Sequence, residues 1–175
     1  VLGHCFGAIP AGIFACLHPD RVASLILPTP GIHTHTTLPL WTRAQIAVLR
    51  FRDSTRPISL PLEAEAMADL EAHRRFIRED PLSLNEVTAG FCFEVFRARR
   101  FLRRNVRSLA VPVFMGLAGR DRISDNRRNR AFFGRLASPD RRLILYPNAT
   151  HILEFSDEKD HFFADLADWL ARSVP

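Results

Sequence analysis

Apolar and polar positions change rhythm twice along the chain. Val1-Leu2 reads as the end of a buried strand, running into the glycine-flanked turn Gly3-His4-Cys5-Phe6-Gly7. Residues 8–17 are apolar on every side and rich in small side chains, which predicts a helix laid closely on a sheet. Pro10 removes a backbone donor there and is expected to kink the first turns. His18-Pro19-Asp20 ends that helix, and residues 22–27 form a short apolar strand closed by Pro28 and Pro30. A strand end, a helix and a strand in that order imply parallel strands in a covered sheet. From Gly31 to about Leu109 the apolar residues recur at helical spacing, over 40–51, 62–77 and 84–106. Strand-like alternation is absent from that stretch, and Pro57, Pro61 and Pro81 mark its joins. The sheet rhythm returns at 111–117, followed by a helix at 127–136 and a strand at 143–146. A last amphipathic helix over 159–170 puts Phe162, Phe163, Leu166, Trp169 and Leu170 on one face. The pattern predicts an α/β fold, a parallel sheet flanked by helices. Its core lies at 1–30 and 110–175, and a helical insertion occupies 31–109.

Composition changes this picture little. A chain of 175 residues, 47% apolar, can bury one sizeable core. The net charge of +5 invites a polyanion partner, but its distribution argues against nucleic acid. Only Lys159 among the 24 basic residues is lysine, and the arginines mostly alternate with apolar or acidic residues. Two clusters, Arg97 to Arg104 and Arg127 to Arg130, lack the interleaved exposed aromatics and glycines of a base-stacking surface. They read as solvated helix faces, with an acidic headgroup or phosphate near a substrate as the open alternative. Cys5, Cys16 and Cys92 cannot all pair within the chain and match no zinc spacing; their number suits a reducing, cytoplasmic setting. No apolar run approaches the roughly 18–20 residues of a membrane span. The chain starts without methionine and directly before a turn that carries chemistry, so an N-terminal portion is expected ahead of it.

That turn has the form G-x-C-x-G at a strand-to-helix junction, the pattern that lifts a nucleophile above a sheet edge on strained backbone. Gly3 and Gly7 are expected to remove Cβ atoms that would collide in so tight a turn. The following helix aims its positive end at Cys5, and the backbone N–H of Phe6 is a natural oxyanion donor. Beyond the strand ending at Leu117 comes Gly119-Arg120-Asp121-Arg122-Ile123, an acid in a strand-end loop. Beyond the strand ending at Tyr146 comes Pro147-Asn148-Ala149-Thr150-His151, a histidine in the next such loop. Nucleophile, acid and histidine follow in the chain order of one of the known triads. Each stands at the carboxyl end of a strand, where open parallel sheets gather their sites.

With these segments the chain resembles the α/β-hydrolase superfamily, in particular its lysophospholipase or monoacylglycerol-lipase-like branch. His18-Pro19-Asp20-Arg21-Val22 and Leu153-Glu154-Phe155 also stand where that branch would have them. The resemblance implies that 31–109 is a cap or lid over the site and that the chain corresponds to the C-terminal part of the fold. It implies a small-molecule or lipid-like acyl substrate and no cofactor. The family nucleophile is normally serine, and Cys5 departs from it. A thiolate is a better nucleophile and a better leaving group than an alkoxide. The exchange therefore favours thioesters, lactones or activated esters, or acyl transfer, over ordinary triacylglycerols.

The roles that follow are Cys5 as nucleophile, His151 as its base, Asp121 as the group that orients His151, and Phe6 as oxyanion donor. The expected activity is hydrolysis of a carboxylic ester, thioester or lactone through an acyl-enzyme. Acyl transfer on the same fold and a degenerate, non-catalytic binding module stand as alternatives. Cys16 and Cys92 read as core residues, and His4 as packing behind the turn. The His33/His35 pair lacks a carboxylate at ligand spacing, so no metal is expected. Asp125, the rival to Asp121, reads as the cap of the helix that begins near Asn126.

Overall fold

The computed structural model describes residues 1–35, 38–60 and 63–173. Three parallel strands form the main sheet in the order β1–β4–β5: β1 is Leu25–Pro28, β4 Val113–Ala118 and β5 Arg141–Tyr146. Residues 1–3 extend it beyond β1. Leu2 bridges Ile26 in parallel, and Gly3 N–H donates to the Ile26 carbonyl at 2.9 Å. Val1 and Leu2 are about half exposed, so the expectation that they end a buried strand holds for pairing and not for burial.

Alternation along β1 and β4 sends side chains to two cores. Leu25, Leu27, Val113, Met115 and Leu117 face helix α1 (Ala8–Leu17) and helix α6 (Asn126–Phe133). Ile26 and Phe114 face helix α7 (Lys159–Ser173), whose Phe162 and Trp169 are almost fully buried. Trp169 Nε1–H donates to Ser24 Oγ at 2.7 Å, so a buried polar atom is satisfied and α7 is fixed against the start of β1. Pro10 falls in the first turn of α1, where a missing N–H matters least, and the helix runs unbroken through it. Gly12 lets α1 approach closely, since a Cβ there would stand 3.0 Å from Leu102.

Between β1 and β4 lie helices α2 (Leu40–Arg52), α3 (Ala64–Met67), α4 (Glu71–Glu79) and α5 (Ala89–Arg104). The helix expected over 62–77 is two pieces, because Ala68 turns extended at φ −143°. Its first residue, Leu62, and the join at Pro61 lie outside the described residues. The region is not purely helical: strands β2 (Pro57–Ser59) and β3 (Glu86–Thr88) pair antiparallel. Three residues are too few to impose a period of two on the sequence. β3 also takes the start of the helix expected over 84–106, so that α5 begins at Ala89 with the Thr88 hydroxyl accepting from Phe91 N–H. Helix α5 ties this region to the sheet. Ala89 packs with Ile46 and Ile58, and Leu102 near its other end belongs to the sheet core.

Candidate active site

Cys5 sits between the segment at residues 1–3, which bridges to β1, and helix α1, in a 3₁₀ turn over Cys5–Gly7. Its φ is +47°, a left-handed conformation that a side chain other than glycine's seldom adopts. The two flanking glycines differ in their reasons. A Cβ on Gly3 would lie 2.4 Å from the Gly7 carbonyl oxygen and 2.8 Å from the Ala11 side chain, so only glycine fits. A Cβ on Gly7 would meet nothing within 4 Å, which corrects the expectation that both glycines relieve a collision. The chain returns over the turn after β1. Thr29, itself at φ +37°, redirects it, and Gly31 N–H then donates to the Cys5 carbonyl at 2.8 Å. A Cβ on Gly31 would stand 3.0 Å from the Cys5 carbonyl and 3.2 Å from Phe6 N. Phe6 places its ring against Phe91 at the start of α5, centroids 5.4 Å apart.

Asp121 and His151 leave the ends of neighbouring strands, β4 and β5, and their loops are stitched together. Gly119 N–H donates to the Tyr146 carbonyl, and Arg120 N–H to that of Ala149. The contact is so close that a Cβ on Gly119 would fall 2.2 Å from the Pro147 carbonyl oxygen. Asp121 is held by the backbone N–H groups of Ile123 and Ser124, each 2.8 Å from Oδ1. His151 Nδ1 lies 3.0 Å from both Asp121 oxygens, and the two side chains are almost wholly buried. That contact makes Nδ1–H the donor and leaves Nε2 on the far side of the ring. His151 Nε2 is buried, and no described residue partners it in hydrogen-bonding geometry. Burial would lower the pKa of His151, but the Asp121 carboxylate and the neighbouring Cys5 side chain outweigh it and raise the group to about 9. The sequence-predicted residues Cys5, Phe6, Asp121 and His151 thus meet at the carboxyl ends of the sheet strands.

Other candidates resolve into supporting roles. The His4 ring lies 5.6 Å from that of His151, and burial keeps its pKa low. Asp125 caps α6 by accepting from Arg128 N–H. His33 belongs to a loop held by Asn129, which accepts from His33 N–H and donates to the carbonyls of Pro30 and His33. No cluster of three metal-ligating side chains occurs among the described residues. Cys16 and Cys92 are half-buried beside apolar cores, and burial raises both thiols. The structural roles of Thr29, Gly31 and Gly119 carry little signal in the sequence. Their only signal is the punctuation Pro28-Thr29-Pro30-Gly31 and a glycine two residues before the acid.

A parallel sheet covered on both faces, a strained Cys5 at the strand–helix turn and an acid–histidine pair on the next strand ends together define an α/β-hydrolase fold. The chain belongs to the family described as serine aminopeptidase, S33, which matches residues 1–159. It is 21% identical over 178 residues to a monoacylglycerol lipase of Mycolicibacterium smegmatis, covering 99% of this chain and 62% of that protein. Among solved structures, the monoacylglycerol lipase of Paleococcus ferrophilus superposes with a TM-score of 0.88 at 21% identity, covering 97% of this chain and 66% of that one. A soluble variant of the Saccharomyces cerevisiae monoglyceride lipase, in complex with a substrate analogue, gives 0.86 at 22% identity, covering 99% and 61%. The chain therefore spans a little under two thirds of the length of these relatives. No described helix is long and apolar enough to cross a membrane.

Proposed function

We propose that the protein hydrolyses a carboxylic ester, thioester or lactone of a lipid-like or small acyl substrate through Cys5, His151 and Asp121. The observation that carries this reading is the left-handed backbone of Cys5 beside a buried His151 whose Nδ1 is taken by Asp121 and whose Nε2 is unengaged. Cys5 gives its proton to His151 Nε2 ahead of attack, which leaves a thiolate beside an imidazolium, and in the first half-reaction the sulfur bonds to the acyl carbon. The oxygen of the tetrahedral intermediate takes the negative charge, and Phe6 N–H donates to it. Gly31 leaves that N–H uncrowded, since any side chain there would begin 3.2 Å from it. The intermediate collapses as the alcohol or thiol leaves with the His151 proton, and the acyl group remains on sulfur as a thioester. In the second half-reaction His151 takes a proton from water, the hydroxide attacks the acyl carbon, and Cys5 leaves and regains its proton.

Two relatives are monoacylglycerol lipases, and this makes an acylglycerol the first oxygen ester to try. The exposed Phe6 and Phe91 rings beside the nucleophile suit an acyl chain. The residues between β1 and β4 act in this reading as the cap over the site. Because sulfur is expelled from the intermediate more readily than oxygen, productive collapse needs a leaving group of comparable quality. A thioester is therefore expected to turn over with a higher kcat/KM than the alkyl ester of the same acid, and both activities are expected to vanish in Cys5→Ala. A strong preference for the alkyl ester would overturn the assignment of the attacking sulfur.

A further inference from the structure

We propose that the substrate carries an anionic oxygen group, a carboxylate or a phosphate, bound by Arg99 and Arg103 beside Cys5. The proposal rests on Cys5 being the nucleophile and adds the chemical class of what it attacks. Arg99 and Arg103 lie four residues apart on α5, hence on one face of the helix. Both are half-buried, and the Nε of each is a buried donor that no described residue accepts from. Arg103 is aimed by one contact, Nη2–H to the Ile32 carbonyl at 2.7 Å. Ile32 directly follows Gly31, whose own N–H is bonded to the Cys5 carbonyl, so this guanidinium is held one residue from the turn that presents the sulfur.

The two arginines differ from others in the chain. Arg74, Arg78, Arg97, Arg120, Arg128 and Arg142 each reach a carboxylate, whereas no ion pair to Arg99 or Arg103 occurs among the described residues. The acidic group whose charge favours protonated Arg99 is Cys5 itself, against the effect of burial. Around Arg103 the other charged influences are cations, Arg99 and Arg128. His33 in the same neighbourhood stays neutral, its pKa lowered to about 4 by burial and by Arg103 and Arg128. Like charges four residues apart on a helix repel, and a partly desolvated guanidinium without a counter-ion costs stability. An anion carried in by the substrate settles both, through charge-assisted hydrogen bonds to the open Nε donors. The chemistry does not distinguish the carboxylate of a dicarboxylic half-ester from a phosphate on the alcohol side.

A pair of alkylating agents of nearly equal size reads this site without relying on turnover. Iodoacetate is an anion and iodoacetamide is neutral; each transfers its carbon to sulfur and expels iodide. On the longest natural form of the protein, the iodoacetate-to-iodoacetamide rate ratio at Cys5 is expected to exceed that of glutathione by about tenfold or more. The ratio is expected to fall well below the wild-type value in Arg99→Met/Arg103→Met, leaving what the protonated His151 contributes, and to be largely kept in Arg99→Lys/Arg103→Lys. Should the methionine variant not fold, competition on the wild type decides. Inorganic phosphate or acetate is expected to slow iodoacetate labelling more than chloride at equal ionic strength, and the more effective of the two assigns phosphate or carboxylate. A wild-type ratio no greater than that of glutathione, or equal effects of phosphate, acetate and chloride, overturns the anion site. Slow iodoacetamide labelling that is indifferent to His151→Ala would instead count against Cys5 as an activated nucleophile, which keeps the two failures apart.

Discussion

At the scale of single residues, the turn around Cys5 is specified by what is missing as much as by what is present. Gly3 has no room for a methyl group, since its nearest neighbours are the Gly7 backbone and the Ala11 side chain, neither of which can swing away. Gly7 has space and a helical φ of −57°. Gly3→Ala is therefore expected to cost about 1–3 kcal/mol of stability through overpacking. Gly7→Ala is expected to be neutral or stabilising by up to about 1 kcal/mol, because alanine narrows the unfolded ensemble without strain. Urea unfolding of the two variants checks this, and equal losses would contradict the steric account. The same contrast explains what sequence could convey. A glycine on either side of a cysteine signals a tight turn, but not which of the two the turn requires. That answer depends on Ala11, one helical turn away, and on how the backbone folds back.

At the scale of elements, the site is assembled by the loops that leave β1, β4 and β5. Asp121 and His151 were legible because each follows an apolar strand run at a predictable distance, and parallel neighbouring strands bring such loops together. Thr29 and Gly31 were not legible, since their importance comes from a turn in which Thr29 takes a positive φ and Gly31 reaches the Cys5 carbonyl. The paired strands β2 and β3 escaped for a different reason: one buried residue, Ile58, in a three-residue strand leaves no period to detect. The open arginines belong to a cluster for which sequence leaves solvated surface and an anion site both standing, because it shows charge without showing which charges find partners.

One residue of α6 holds the loop that leaves β1. Asn129 of α6 is fully buried, and its side chain satisfies His33 N–H and the carbonyls of Pro30 and His33. Asn129→Ala is expected to cost about 3 kcal/mol, since it leaves buried backbone groups unpaired. It is also expected to lower kcat/KM by loosening the segment that bonds to Cys5. Denaturant unfolding and thioester turnover measure the two effects, and a stable variant of full activity would contradict the role given to α6.

At the scale of the whole molecule, the site is linked to stability through protons. His151 titrates at about 9 in the folded chain, against roughly 6.5 for an unfolded histidine. The folded state thus binds the proton more tightly. The stabilisation is fully present below about pH 6.5 and is lost as pH rises through 9, amounting to about 3 kcal/mol between those limits. Unfolding free energy measured across that window is expected to fall with pH, and His151→Gln is expected to flatten the slope. A stability that is flat or rising from pH 6.5 to 9 in the wild type would contradict a His151 held protonated by Asp121 and Cys5.

The central claim is that sulfur at residue 5 carries the acyl group, and trapping that bond tests it most directly. The longest natural form of the protein is mixed with a short-chain acyl thioester, quenched in acid within the first turnovers and digested, and its peptides are weighed. The account predicts one acyl mass increment on the peptide that holds Cys5, removed by neutral hydroxylamine and absent in Cys5→Ala and His151→Ala. Turnover of the thioester with no adduct at Cys5, or with turnover undiminished in Cys5→Ala, would contradict it.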